Sequence, residues 1–203
     1  METIDGRPRP GPTWPVTHGR PLAIVVMGVS GCGKTTVGRL LAERLGVTFI
    51  DADDLHPAEN RARMVSGLPL DDAGRRPWLV AVREALIACG PRGCVVACSA
   101  LRRPYRDALA AGEGRVVFLH LSLPRDVLVA RVSNRRDHFM PVSLLASQLD
   151  TLEPLGPDEP GVSIDASGGP DQVVEALAGL VGAVLQHQPG TRATSGPPDR
   201  LAV

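Results

Sequence analysis

The stretch Leu22-Ala-Ile-Val-Val-Met27 followed by Gly28-Val-Ser-Gly-Cys-Gly-Lys34-Thr35 decides the fold of this chain. Six apolar residues without alternation predict a strand buried on both faces. The eight residues after them satisfy G-x-x-x-x-G-K-[ST], and the stripe Val37, Leu40, Leu41, Leu45 then predicts a helix. A glycine-rich turn between a strand and a helix N-terminus turns successive N–H groups inward and forms a nest for phosphate oxygens. Gly28, Val29, Ser30, Gly31, Cys32, Gly33, Lys34, Thr35 and Thr36 are therefore the expected binding residues for a nucleoside triphosphate. Lys34 brings charge to the β- and γ-phosphates and Thr35 offers a hydroxyl to Mg²⁺.

Working outward, further apolar runs at Val47–Ile50, Cys94–Cys98, Arg115–Leu121 and Val162–Ile164 alternate with helical patterns. Pro57, Pro77, Pro104, Pro124, Pro141 and Pro170 each stand before such a pattern, where a missing N–H costs little. The order β-α-β-α predicts an α/β domain of the P-loop NTPase fold: a central parallel five-stranded sheet with helices on both faces. The domain is expected over residues 21–187. Proline and small polar residues dominate 1–20 and 188–203, which read as disordered tails.

Composition narrows the function. Twenty-two basic residues balance 22 acidic ones, and Lys34 is the one lysine among them. A neutral chain has no bulk attraction to nucleic acid or an anionic membrane, so any polyanion is met at a local site. No apolar run approaches the roughly 20 residues of a membrane span, and the N-terminus does not read as a signal peptide, which points to the cytoplasm. Cys32, Cys89, Cys94 and Cys98 contain no C-x-x-C pair and are expected as buried reduced thiols.

The segment Asp51-Ala-Asp53-Asp54-Leu-His56-Pro57 supplies the next chemistry. Strand alternation places Asp51 and Asp53 on one side at the strand's C-terminal end, about 6–7 Å apart. Asp51 suits a magnesium-bound water, and Asp53 suits orienting or deprotonating an acceptor hydroxyl. Capping the helix at Pro57 is the alternative use for these carboxylates, and Asp54 fits that use too. The third strand, Val95-Val-Ala-Cys-Ser-Ala100, carries no Walker-B carboxylate, and Asp51 stands in for it.

GVSGCGKT, DADDLHP, NRARMVSGLPLDD, RRPWL, CSALRRPYRD and HFMP…LDTLEPL occur in that order from about Ile24 to Leu155. Together they resemble gluconokinase, a small P-loop sugar-acid kinase family related in fold to shikimate and nucleoside-monophosphate kinases. The resemblance implies transfer of phosphate from ATP to the 6-hydroxyl of D-gluconate, a small-molecule substrate, and a homodimer. Such an acceptor needs a cation for its carboxylate and hydrogen-bonding groups for its hydroxyls, and arginine suits the former. Asp53, His56, Arg61, Arg75, Arg102 and His138 are the expected substrate-binding residues. Arg63 and Arg103 are further candidates, at most one of Arg61 and Arg63 facing the site. The resemblance also implies a small lid at about 131–150; Lys34, Asp53 and Arg135 are the expected catalytic residues, and Arg131 joins the ATP site from that lid. Thr35 and Asp51, the latter through water, are the expected magnesium contacts. Ser99 has either the magnesium shell or the substrate within its reach, while Tyr105 and Asp107 are expected to support the following helix.

Gly74 stands where the family usually has an acidic residue, Arg102-Arg103 replaces a Lys-Lys pair, and Asp137 replaces a common glycine. Two other readings remain at this stage. One is a kinase of shikimate or another small metabolite; the other is a nucleotide-binding protein that has lost transfer.

Overall fold

The structure is a computed structural model that describes residues 3–4, 7–8, 22–111, 115–133 and 142–186. Strands β1 (Thr3–Ile4) and β2 (Arg7–Pro8) pair antiparallel. The main sheet holds β3 (Leu22–Met27), β4 (Thr48–Asp51), β5 (Cys94–Ala97), β6 (Arg115–Ser122) and β7 (Gly161–Asp165). Its order is β4-β5-β3-β6-β7, and every neighbouring pair is parallel. The five expected strands are thus all present, each within two residues of its expected ends.

Helices α1 (Lys34–Leu45), α2 (Ala58–Val65), α3 (Asp72–Ala88), α4 (Arg103–Ala110), α5 (Arg125–Ser133), α6 (Val142–Thr151) and α7 (Pro170–Gln186) connect the strands. They cover both faces of the sheet, as parallel strands require. One core packs α1 and α7 residues such as Leu41 and Leu177 against Ile24, Val26 and Leu119. The other packs Trp78, Val82 and Leu109 against Val25, Val96 and Phe118. Alternate residues of β3 feed the two cores, which is why its apolar run is unbroken.

Two local expectations change. Pro77 lies inside α3 rather than before it. The helix starts earlier because Asp71 caps it, its carboxylate accepting from the Gly74 N–H at 2.7 Å. Cys89 and Cys94 form a disulfide, with Cα atoms 5.7 Å apart, so they are not reduced thiols. The turn closed by Gly93 N–H to Gly90 C=O brings the start of β5 back to the end of α3. Cys32 and Cys98 are buried and free, as expected, and burial pushes the Cys98 thiol up to about 12.

Candidate active site

The phosphate loop sits where ligands of open parallel sheets collect, beyond the carboxyl end of the central strand. Gly28 has φ 139°, and a Cβ there would lie 2.9 Å from both Cys32 Sγ and Leu121 O. Both the angle and the crowding demand glycine. Gly33 is the N-cap of α1 in the left-handed region, and no side chain caps the helix. The first-turn N–H groups are therefore left to an anion. Lys34 Nζ donates to the Val29 carbonyl at 3.1 Å, curling back across the loop. Val29 contributes backbone only, because its side chain is buried in the core.

Beside the loop, Thr35 Oγ1 donates to Asp51 Oδ2 at 2.8 Å. Asp51 stands opposite Ala97 of β5, one strand over from the missing Walker-B carboxylate. Its second oxygen accepts from the Asp53 N–H at 3.1 Å and caps a 3₁₀ turn over Ala52–Leu55. The chain consequently leaves the sheet at Asp51, so Asp51 and Asp53 are not alternate residues of one strand. The turn sends Asp53 into a hollow it shares with Ser30, Lys34 and Thr35. Thr35 and Asp51 are hard oxygen donors that fit Mg²⁺. Among the described residues no group of three His, Cys, Asp or Glu gathers to hold a metal alone. That fits an ion whose remaining ligands are phosphate and water.

The far wall of the hollow includes His56, Arg75, Trp78, Ser99 and Tyr105. His56 stacks on Trp78 with ring centroids 4.5 Å apart, and Trp78 Nε1 donates to the Ala52 carbonyl at 2.7 Å. Burial, aided by the charges of Arg61 and Arg75, lowers the His56 pKa to about 4, so the ring is neutral near pH 7. Its Nδ1 is buried with no hydrogen-bond partner among the described residues. An orphaned buried nitrogen is costly unless a ligand supplies the partner. Arg75 is fixed by Tyr105, whose hydroxyl accepts from Arg75 Nη1 at 3.0 Å and donates to Asp72 Oδ1 at 2.5 Å. Tyr105 thus belongs to the wall as well as to α4.

On the other side of the loop, Gly31, Cys32, Gly33 and Thr36 line a second hollow of about 610 Å³ with Asp126, Arg131 and Pro170. That size lies within the roughly 300–1,000 Å³ of small-molecule sites.

Residues 30–150 match the shikimate kinase family. A gluconokinase of Gluconobacter oxydans (strain 621H) is 45% identical over 161 residues, which cover 78% of this chain and 90% of that protein. The chain belongs to the gluconokinase family. A crystal structure of a gluconokinase from Sinorhizobium meliloti 1021 is 45% identical, with a TM-score of 0.73 over 82% of this chain and 95% of that one. Shikimate kinase from Acinetobacter baumannii, solved with shikimate, shares the fold at 21% identity and a TM-score of 0.53 over 81% and 94%. As a gluconokinase-family member the chain is a kinase, and its co-substrate is ATP.

Of the arginines expected on the acceptor side of this gluconokinase-family site, Arg61, Arg63, Arg102 and Arg103 do not line the first hollow. Arg61 is exposed, and its Nη1 donates to the Asp54 carbonyl at 3.3 Å rather than lining the hollow. Arg102 is held by Asp72 at 2.7 Å and Glu153 at 3.3 Å, so two carboxylates already occupy its fork. Arg63 is exposed on α2, and Arg103 pairs bidentately with Asp158. Arg131 lines the second hollow, where its Nη2 donates to the Ala166 carbonyl at 3.4 Å. Arg135 and His138 lie outside the described residues, as does Asp137. Gly74 has a local reason to be small: a Cβ there would lie 3.1 Å from Asp71 Oδ1, the capping oxygen. Sequence reasoning missed Trp78 as the support of His56. It also missed Gln148, which lines the first hollow without belonging to any motif.

Proposed function

We propose that this kinase transfers the terminal phosphoryl group of Mg·ATP to the 6-hydroxyl of D-gluconate, giving 6-phospho-D-gluconate. One observation carries the reading: a single hollow joins the phosphate loop to a carboxylate, a neutral histidine and an arginine suited to a polyhydroxy acid. In this reading Asp53 orients the acceptor hydroxyl and takes its proton. His56 Nδ1 accepts from another hydroxyl, which supplies the partner it lacks among the described residues. Arg75 pairs with the acceptor carboxylate, and Tyr105 and Asp72 hold its guanidinium in place. Lys34 and the α1 N-terminus stabilise charge on the transferring group. Mg²⁺, held by Thr35 and through water by Asp51, would neutralise phosphate charge when bound. Arg131 contributes to the nucleotide side, and Arg135 and His138 act from the lid.

This reading carries a cytoplasmic location and a homodimer with it. Among the described residues no helix is long and apolar enough to cross a membrane. Val80 and Ile87, seven apart on α3, are exposed apolar side chains that suit a subunit contact, which light scattering would register.

The test is ADP release with D-gluconate, shikimate and nucleoside monophosphates as acceptors. Turnover should appear with gluconate, and an Asp53→Asn variant should keep ATP binding while losing about 100-fold or more in kcat. Turnover with shikimate and none with gluconate would replace the acceptor. No turnover with any small hydroxy acid would favour a nucleotide-binding protein without transfer.

A further inference from the structure

Gln148 stands on α6, 118 positions beyond Ser30, yet its Oε1 accepts a hydrogen bond from the Ser30 N–H at 2.6 Å. Leu145, one turn earlier, is 1% exposed and anchors α6 in the core that also holds α1. The placement within the loop is informative. Gly31 and Gly33 line both hollows, Cys32 and Thr36 line the second, which the proposed function gives to the nucleotide, and Ser30 lines the first, which it gives to the acceptor. Gln148 therefore meets the loop at its acceptor edge, where a transferring phosphoryl group must pass.

The chemistry of an amide suits that place. An N–H can only donate, so the contact turns the amide oxygen to Ser30, and the same side chain carries two N–H donors. The oxygen satisfies a backbone donor in a residue that is 7% exposed. When a terminal phosphate oxygen takes over the Ser30 N–H, rotation of the amide offers an N–H to that same phosphate. A carboxylate at this position would accept from Ser30 equally well but would repel the phosphate.

We propose that Gln148 is a specificity-determining residue of the phosphoryl-donor site, contacting the terminal phosphoryl group and distinguishing a nucleoside triphosphate from a diphosphate. The inference rests on ATP as donor and does not depend on gluconate as acceptor.

The experiment measures binding of ADP and of the β,γ-imido analogue of ATP, each with Mg²⁺ and without acceptor, by calorimetry. Gln148→Ala should weaken the triphosphate analogue about 10-fold and leave ADP within about twofold, the scale of a hydrogen bond to a charged group. Gln148→Glu keeps an acceptor for Ser30, so it guards against a folding defect, and it should weaken the analogue more than alanine does. Equal changes for the two nucleotides in both variants, including no change, would overturn the proposal. If the unmodified protein shows this discrimination but no turnover with gluconate, the acceptor reading falls and this one stands. Failure of the unmodified protein to bind either nucleotide would overturn both.

Discussion

Lys34 is the one lysine in a chain with 21 arginines, and it occupies the phosphate loop. Its Nζ reaches the Val29 carbonyl inside the curl of the loop at 3.1 Å. A slim ammonium can enter that space, whereas a planar guanidinium cannot turn within it. Lys34→Arg should therefore reduce kcat about 100-fold or more, the range seen when one preorganised donor is lost. The melting temperature should stay close to that of the unmodified protein, because Lys34 makes no buried ion pair among the described residues. Near-normal turnover in that variant would show that charge alone suffices. The motif made this residue a candidate from sequence, because that reading needs only local spacing. His56 was legible as a candidate, but its orphaned Nδ1 was not: that depends on Trp78, 22 positions away, stacking on the ring.

At the scale of elements, Arg106 of α4 shows what holds the acceptor wall together. Its side chain is 1% exposed and forms a two-bond pair with Glu159. The remaining donors reach the carbonyls of Ala100, Leu101, Glu153 and Pro154. One guanidinium thus joins the loop after β5, which carries Ser99, to the segment after α6, which carries Gln148. Arg106→Met should destabilise the protein by about 3–5 kcal/mol, because it strands a buried carboxylate and several carbonyls. Urea unfolding measures this, and a loss below about 1 kcal/mol would mean that water or backbone movement replaces the arginine. Strands and the first helix were readable because their periodicity is a property of adjacent residues. The Arg106–Glu159 pair was not, since its members lie 53 positions apart and neither sits in a phosphate-binding pattern. The Cys89–Cys94 bridge was hidden for a related reason. Its spacing matches no metal or redox motif, and the pairing follows only from the turn between α3 and β5. Arg102 shows the opposite case: its place after a strand end suits a ligand, and in the fold Asp72 and Glu153 hold its guanidinium.

For the molecule as a whole, the buried and paired ionisable groups set how stability depends on pH. His56 and His120 are both buried, and both have pKa values lowered from 6.5, His56 to about 4. Between the native and unfolded values the unfolded chain binds more protons, so stability rises with pH across that interval. The contribution is complete above about 6.5 and is lost as pH falls toward 4. Asp72, Glu153, Asp158, Glu159 and Asp165 are also lowered, by hydrogen bonds from Tyr105, the Arg103 N–H, Arg103, Arg106 and Ser167 respectively. Their contribution is present above the ordinary carboxylate values of 3.8 and 4.5 and is lost as pH falls below them. The two sets add with the same sign, so stability should decline without a maximum from about pH 7 to about pH 3, histidines first and carboxylates after. Melting temperatures across that range provide the measurement, with His56→Asn as the comparison. The variant should fall less steeply between about pH 6.5 and pH 4, because it lacks the group that protonates on unfolding there. A midpoint that stays level or rises as the unmodified protein is acidified through that interval would mean that His56 is protonated in the fold. The neutral acceptor assigned to the substrate site would then be lost with it, so this stability measurement also tests the chemistry of the hollow.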